Sequence, residues 1–179
     1  MPSTATIDIA IPAYKPKWFR ECLRSALGQT YPINRVVIAD DRADDQIRNI
    51  VSAFTDARIR YHKNPRRQGL VGNYLQLAQL SDAKWIKYLD DDDMLMPDAV
   101  ENLFSIAQND DSTAIVFGNQ LDFREGERPV PGRLNLPTRI PGKAYFLKYY
   151  PRTPITLFSR ILIKTDIVRG FDPDQIDTN

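Results

Sequence analysis

Four consecutive carboxylates, Asp90 to Asp93, end the apolar run Trp85-Ile86-Lys87-Tyr88-Leu89. Adjacent anions repel one another. A fold that places them at the end of a buried strand must either leave them in water or supply a cation. Carboxylate oxygens suit a hard divalent ion, Mg²⁺ or Mn²⁺, rather than the softer metals that thiolates and imidazoles hold. On an extended strand end, residues i and i+2 face the same way. Asp90 and Asp92 are therefore expected to address the ion together, with Asp91 turned elsewhere. Pro97 and Asp98 then read as a helix start, and Asp93 is expected to help cap it.

Three further polar groups follow apolar runs: Pro12-Ala13-Tyr14-Lys15, Asp40-Asp41 and Pro65-Arg66-Arg67-Gln68. The elements that position them can be read from hydrophobic period. Strands are expected at Thr6–Ile11 (stopped by Pro12), Val36–Ala39, Arg58–Tyr61, Lys84–Leu89 and Ala114–Phe117. Helices are expected over Trp18–Leu27, Asp44–Phe54, Leu70–Leu80 and Pro97–Gln108. In the third of these, Leu70, Tyr74, Leu77 and Ala78 share one face. Strand and helix thus alternate four times before a fifth strand, the pattern of a parallel sheet with helices on both faces. Arg124 to Lys143 is rich in proline and glycine and reads as a long loop, either a lid or an insertion. A helix over Lys143–Tyr150, a strand around Ile155–Phe158 and a short helix from Lys164 complete the expected elements.

In an open parallel sheet, ligands bind outside the carboxyl ends of the strands. All four polar groups then share one edge. Each alone has an ordinary explanation: an acidic turn before a helix, a packing tyrosine, a solvated basic turn. Together they suit a nucleoside diphosphate. Asp41 can accept hydrogen bonds from a base or ribose, and Tyr14 offers a stacking face. A divalent ion would reconcile the phosphates with the aspartates.

The remaining composition narrows the field. A net charge of +1 gives no bulk attraction to nucleic acid. No stretch approaches the ~20 apolar residues that span a bilayer, and no signal peptide is expected at the start of the chain. The single cysteine, Cys22, forms no internal disulfide, fits a reducing compartment and lies on an apolar helix face. The expected location is cytoplasmic, and a membrane-peripheral one is compatible. His62 has no second histidine or cysteine with which to build a metal site.

The chain resembles the family 2 glycosyltransferases, inverting enzymes with the GT-A fold. The matching stretches are Ile11-Pro12-Ala13-Tyr14, Ser25 to Tyr31, Val36 to Asp41, Arg58 to Tyr61, Asn64, Gly69, Asn73, Tyr88 to Asp93 and Pro97-Asp98. A weaker match is Gly170-Phe171-Asp172. The resemblance covers residues 6 to about 105 well and implies a single α/β domain with a Rossmann-like, mainly parallel sheet. Residues 6–118 would form the nucleotide-sugar-binding half and residues 119–179 a partial acceptor half.

The implied reaction moves a sugar from a nucleotide-diphosphate donor, a UDP- or dTDP-sugar, to a glycan or other hydroxyl acceptor. It implies Asp90 and Asp92 as metal ligands and Asp91 near the donor sugar or ribose. Asp41 would meet the base, with Pro12, Ala13 and Tyr14 as the wall beside it. Arg66 and Asn73 would meet diphosphate or ribose. Lys15 stands where the family often has Asn, and Arg42-Ala43 replaces a common Gly-Ser. The family's general base lies beyond the Gly-Phe-Asp element, where Asp174 and Asp177 do not match the motif. The base is therefore expected beyond Asn179, and a non-catalytic nucleotide-sugar-binding module is the alternative. A receiver domain is disfavoured because Pro12-Ala13-Tyr14, not an acidic pair, follows the first strand. A Rossmann dehydrogenase lacks its glycine fingerprint there.

Overall fold

The computed structural model describes residues 6–122, 126–132, 136–145 and 158–171. Its centre is a six-stranded sheet in the order β3 (Ile59–Lys63), β2 (Arg35–Asp40), β1 (Ile7–Ala13), β4 (Trp85–Tyr88), β8 (Ile161–Lys164), β5 (Ile115–Phe117). The parallel part comprises β1 (Ile7–Ala13), β2 (Arg35–Asp40), β3 (Ile59–Lys63) and β4 (Trp85–Tyr88). Helices α1 (Phe19–Leu27), α2 (Gln46–Val51) and α3 (Gly69–Leu80) connect them, and α4 (Ala99–Ala107) follows β4.

Alternation along the central strand sets the two faces. Ile7, Ile9 and Ile11 pack with Phe19, Cys22, Leu23 and Ala26 of α1 and with Val100, Leu103 and Phe104 of α4. Ala10, Val37, Ile86 and Tyr88 meet Tyr74, Leu77 and Ala78 of α3 on the other face. The periodic helices are thus where the sequence places them, with two adjustments. Leu70 is exposed at the start of α3, and the second helix is shorter than its apolar spacing suggests.

Pro12 does not stop β1, which continues to Ala13 with Pro12 opposite Ala39. The reason is directional. Ala10 and Pro12 face β4, and the last bond from that side is Leu89 N–H to the Ala10 carbonyl. Beyond it, a missing N–H at Pro12 costs the sheet nothing, while Ala13 still accepts from Asp41 on the β2 side.

The larger correction lies beyond α4. β5 (Ile115–Phe117) does not pair with β4. β8 (Ile161–Lys164) sits between them, antiparallel to both. The sheet is therefore mainly parallel, as the family resemblance implies, and what the sequence missed is the antiparallel β8 inserted between β4 and β5. Within the expected loop, β7 (Val130–Gly132) pairs antiparallel with β6 (Gln120–Asp122), and α5 covers Gly142–Ala144. The expected strand around Ile155–Phe158 lies largely outside the described residues, and Phe158 belongs to a 3-10 turn, Phe158–Arg160, that leads into β8. The helix expected from Lys164 is present as α6 (Thr165–Arg169). No helix among the described residues is long and apolar enough to cross a membrane.

Candidate functional site

The carboxyl ends of β1 to β4 open on one edge. A pocket of about 610 Å³ lies there, lined by Tyr14, Asp41, Arg42, Ala43, Lys63, Asn64, Pro65, Arg66 and Arg67. Pro12 and Ala13 are buried inside β1, behind this lining. Tyr14 is exposed, with the Arg67 guanidinium 4.7 Å and the Arg42 guanidinium 5.7 Å from its ring centroid. Arg66 and Arg67 are exposed, and among the described residues neither forms an ion pair with a carboxylate. Arg67, without a carboxylate partner, stands over the Tyr14 ring, and with Arg66 in the same lining it makes this wall receptive to an anion attached to a ring, whereas Arg42 is already paired with Asp44.

Asp41 is on the pocket wall and also holds it together. Its Oδ1 accepts from Asn64 Nδ2 at 2.9 Å and from the Gln68 N–H at 2.7 Å, and its Oδ2 accepts from the Gly69 N–H at 2.9 Å. α3 has no cap from its own N-cap residue, Gln68. A carboxylate from the neighbouring strand satisfies its first donors instead and complements the positive helix end. Gly69 sits at φ +70°, the left-handed region that only glycine adopts freely.

Asn73 lies beneath this layer, buried, outside the pocket lining. Its Oδ1 accepts from Asn64 Nδ2 and its Nδ2 donates to the Ala39 carbonyl, both at 2.9 Å. Because both partners of Asn64 Nδ2 are acceptors, the Asn64 amide orientation is fixed. Its Oδ1 is left buried without a partner among the described residues. Asp40 is fully buried and accepts from Tyr61 Oη at 2.6 Å, Lys63 Nζ at 3.0 Å and the Arg42 N–H at 2.9 Å.

The acidic turn lies beside this pocket rather than in its lining. The Asp93 N–H donates to the Asp90 carbonyl at 3.0 Å, so the four aspartates form a turn rather than an extended end. The i, i+2 alternation therefore does not apply, and the side chains separate. Asp90 accepts from the Tyr74 hydroxyl, and its own N–H donates to Ser159 Oγ at 2.8 Å. Burial pushes the Asp90 carboxyl above its ordinary range, against the opposing pull of Tyr74. Asp91 points back to the end of β1, where its Oδ2 accepts from the N–H groups of Tyr14 at 2.6 Å and Lys15 at 2.5 Å. Burial raises its carboxyl as well, and those two bonds pull it down. Asp92 is exposed and accepts from Lys15 Nζ at 2.6 Å. Asp93 makes no cap to α4. Gln29 does that, accepting from the Val100 N–H at 3.1 Å while donating to the Met96 carbonyl at 2.9 Å.

Behind the turn, Lys87 is buried. Its ammonium donates to the Tyr88 carbonyl at 2.5 Å and to the Ser159 carbonyl, and burial pushes its pKa down to about 7. The residues that sequence reasoning did not assign to the site are Arg42, Lys63 and Asn64, and Lys15 was placed on its edge without a role. The signal for them was position, since each ends a parallel strand or follows one directly.

Among the described residues, no three His, Cys, Asp or Glu side chains gather where they could share a metal ion. Mg²⁺-type ions need fewer, because one or two carboxylates commonly hold them while waters and substrate phosphates complete the shell. Asp92 fits that role: it is exposed, its oxygens are hard, and it already holds a cation in the Lys15 ammonium.

Comparison with known proteins bears on the fold and the family. The glycosyltransferase GlyG of Streptococcus pneumoniae is 26% identical over 124 residues, 68% of this chain and 41% of GlyG. The chain therefore spans less than half the length of that relative. Residues 1–349 of Staphylococcus aureus TarS, in complex with UDP-GlcNAc, superpose with a TM-score of 0.52 at 14% identity, over 58% of this chain and 31% of that one. The mannosyltransferase PcManGT of Pyrobaculum calidifontis, in complex with GDP-Man and Mn²⁺, gives 0.56 at 16% identity, over 64% and 35%. At such identities the likeness is one of fold, and it matches the GT-A-type sheet. The sequence profile described as Glycosyl transferase family 2 matches residues 8–171, nearly the whole chain, and the chain belongs to that family.

Proposed function

We propose that this chain binds the nucleotide-sugar donor of a glycosyl transfer reaction, and that the sugar passes to a hydroxyl acceptor with inversion. The observation that carries the reading is the shared edge. Tyr14, Asp41 and the Arg66-Arg67 pair line one pocket at the carboxyl ends of β1 to β4, and the acidic turn follows β4 on the same edge, beside that pocket. In this reading the base lies against Tyr14 and Asp41. Asp41 has four lone-pair positions and three protein donors, so one acceptor position remains for a base N–H. Asn64 Oδ1, buried and unpartnered, offers a second acceptor. Arg66 and Arg67 attract the diphosphate. A uridine-type donor is favoured, and TarS, which shares the fold, holds UDP-GlcNAc.

Asp92 would hold a divalent ion, and such an ion would neutralise charge on the departing diphosphate, while Asp90, expected to share the ion, is engaged by the Tyr74 hydroxyl. The bond between the anomeric carbon and the diphosphate oxygen breaks as the acceptor oxygen attacks, and a general base takes the acceptor's proton. Asp174 and Asp177 lie outside the described residues, so the base is left unassigned. The same reading makes residues 6–118 the donor half and residues 119–179 part of the acceptor half.

Calorimetry with UDP and Mn²⁺ tests the reading. The wild-type chain is expected to bind UDP more tightly with Mn²⁺ than without it, and Asp92→Ala to lose that gain. UDP affinity unchanged in Asp92→Ala would sink the metal assignment. Failure of UDP, dTDP and GDP alike to bind would sink the donor assignment.

A further inference from the structure

Lys15 is the charged group at the acidic turn for which the proposed function has no use. Its backbone N–H is clamped to Asp91 Oδ2 at 2.5 Å, and its ammonium reaches the next carboxylate, Asp92 Oδ2, at 2.6 Å. One residue is thus held at its root by Asp91 and at its tip by Asp92. Both charged ends of the outer pair remain in water, 63% exposed for Lys15 and 40% for Asp92. Asp90, Asp91 and Asp92 all act on the ammonium in the same favourable direction. The cation that four adjacent carboxylates call for is therefore supplied, in this structure, by the chain itself.

We propose that Lys15 is a tethered counter-cation of Asp92, which a divalent ion must displace and which then turns to the donor diphosphate. The inference rests on the proposed metal role of Asp92. An exposed ion pair is weak and its lysine stem is flexible, so displacement is easy. A monovalent ammonium fixed on Asp92 nevertheless competes with a metal arriving alone. When metal and diphosphate arrive together, the released ammonium gains new anionic oxygens within reach of its stem. Metal and nucleotide then bind with positive coupling, and each tightens the other by the same factor.

Mn²⁺ binding, read by electron paramagnetic resonance titration with and without saturating UDP, tests this on four chains: wild type, Lys15→Gln, Lys15→Arg and Asp92→Asn. Thermal melts establish that each is folded. Without UDP, Lys15→Gln is expected to bind Mn²⁺ about two- to five-fold more tightly than wild type, the range for losing one exposed ion pair. Lys15→Arg, which keeps the charge, stays near wild type. With UDP the advantage of Lys15→Gln shrinks, so UDP tightens Mn²⁺ binding by a smaller factor than in wild type. Equal or weaker Mn²⁺ binding by Lys15→Gln without UDP overturns the proposal, as does a Lys15→Gln chain that, like wild type, takes up no Mn²⁺ without UDP. If Asp92→Asn abolishes binding in the same series, the metal assignment stands and only the counter-cation fails. If Asp92→Asn binds Mn²⁺ as wild type does, the metal assignment falls as well.

Discussion

Asp41→Asn separates a scaffolding role from a ligand-binding one, because it changes one oxygen and almost no volume. The carboxylate accepts three hydrogen bonds, two on Oδ1 and one on Oδ2. An amide can keep its oxygen on only one side, and on the other its NH₂ meets a donor. The better choice keeps Asn64 and Gln68 and sets the amide N–H against the Gly69 N–H. Bonds to a charged acceptor contribute about 1.5–3 kcal/mol and neutral ones about 0.5–1.5 kcal/mol. One charged bond is lost and two are weakened, for about 3–5 kcal/mol. Asp41 is only 6% exposed, so relief of its desolvation offsets part of this, leaving about 2–4 kcal/mol. Urea unfolding followed by circular dichroism should show the midpoint falling by about 1–2 M, for a slope of about 2 kcal/mol per M. A loss under about 0.5 kcal/mol, with UDP affinity abolished, would show that the carboxylate serves the ligand and not the loop, and would refute the reasoning.

Gly69→Ala should cost about 1 kcal/mol in the same assay, since a Cβ there meets nothing and only the positive φ is penalised. A cost above 3 kcal/mol would point to a contact that the structure does not show. Gln29→Ala should cost about 2–3 kcal/mol, because three hydrogen bonds that tie α1 to the start of α4 disappear. Lys87 has a folded pKa near 7 against an ordinary value of 10.5. The unfolded chain therefore binds more protons between those limits, and Lys87 makes stability rise with pH there, by up to about 1.4 kcal/mol per unit. Lys87→Met should flatten that rise, and an unchanged pH profile would contradict it. Asp91→Asn can keep both backbone bonds on one oxygen while removing a carboxyl whose folded pKa is raised. A raised carboxyl costs stability as pH climbs from the ordinary value of 3.8 through the folded one. The variant should therefore match wild type below that window and equal or exceed it at pH 7.

The parallel core was legible because hydrophobic period depends on few neighbours. Val36-Val37-Ile38-Ala39 admits little but a buried strand, and Cys22, Leu23 and Ala26 little but a buried helix face. What was not legible depended on pairing across long sequence distances. Ile161-Leu162-Ile163-Lys164 is too short to declare itself, and it becomes a strand because β4 and β5 leave a gap between them. Pro12 reads as a terminator unless one knows that the neighbour facing its nitrogen has already ended. At the site, the residue types after each strand were readable, whereas their orientation was not. The turn at Asp90–Asp93 replaces alternation with different donors: the Tyr74 hydroxyl for Asp90, the Tyr14 and Lys15 N–H groups for Asp91, and the Lys15 ammonium for Asp92. Asn73, expected to meet the ligand, spends both of its amide ends inside the fold.

The carboxylates of this edge differ in what answers their charge, and that difference decides what each can do. Asp40 is met by a tyrosine, a lysine and a backbone N–H, Asp41 by an amide and two N–H groups, and Asp91 by two N–H groups. Backbone donors cannot leave without unfolding the loop that carries them, so these aspartates fix loops. A side-chain ammonium on a flexible stem in water can leave at small cost. Asp92 alone among these four is held by such a group and no other in the contacts described. Under the proposed metal role it is therefore the carboxylate that would exchange one cation for another. The loops that the inward aspartates fix carry Tyr14, Arg66 and Arg67, so the positive wall of the pocket is built by the same anions whose charge it would otherwise oppose.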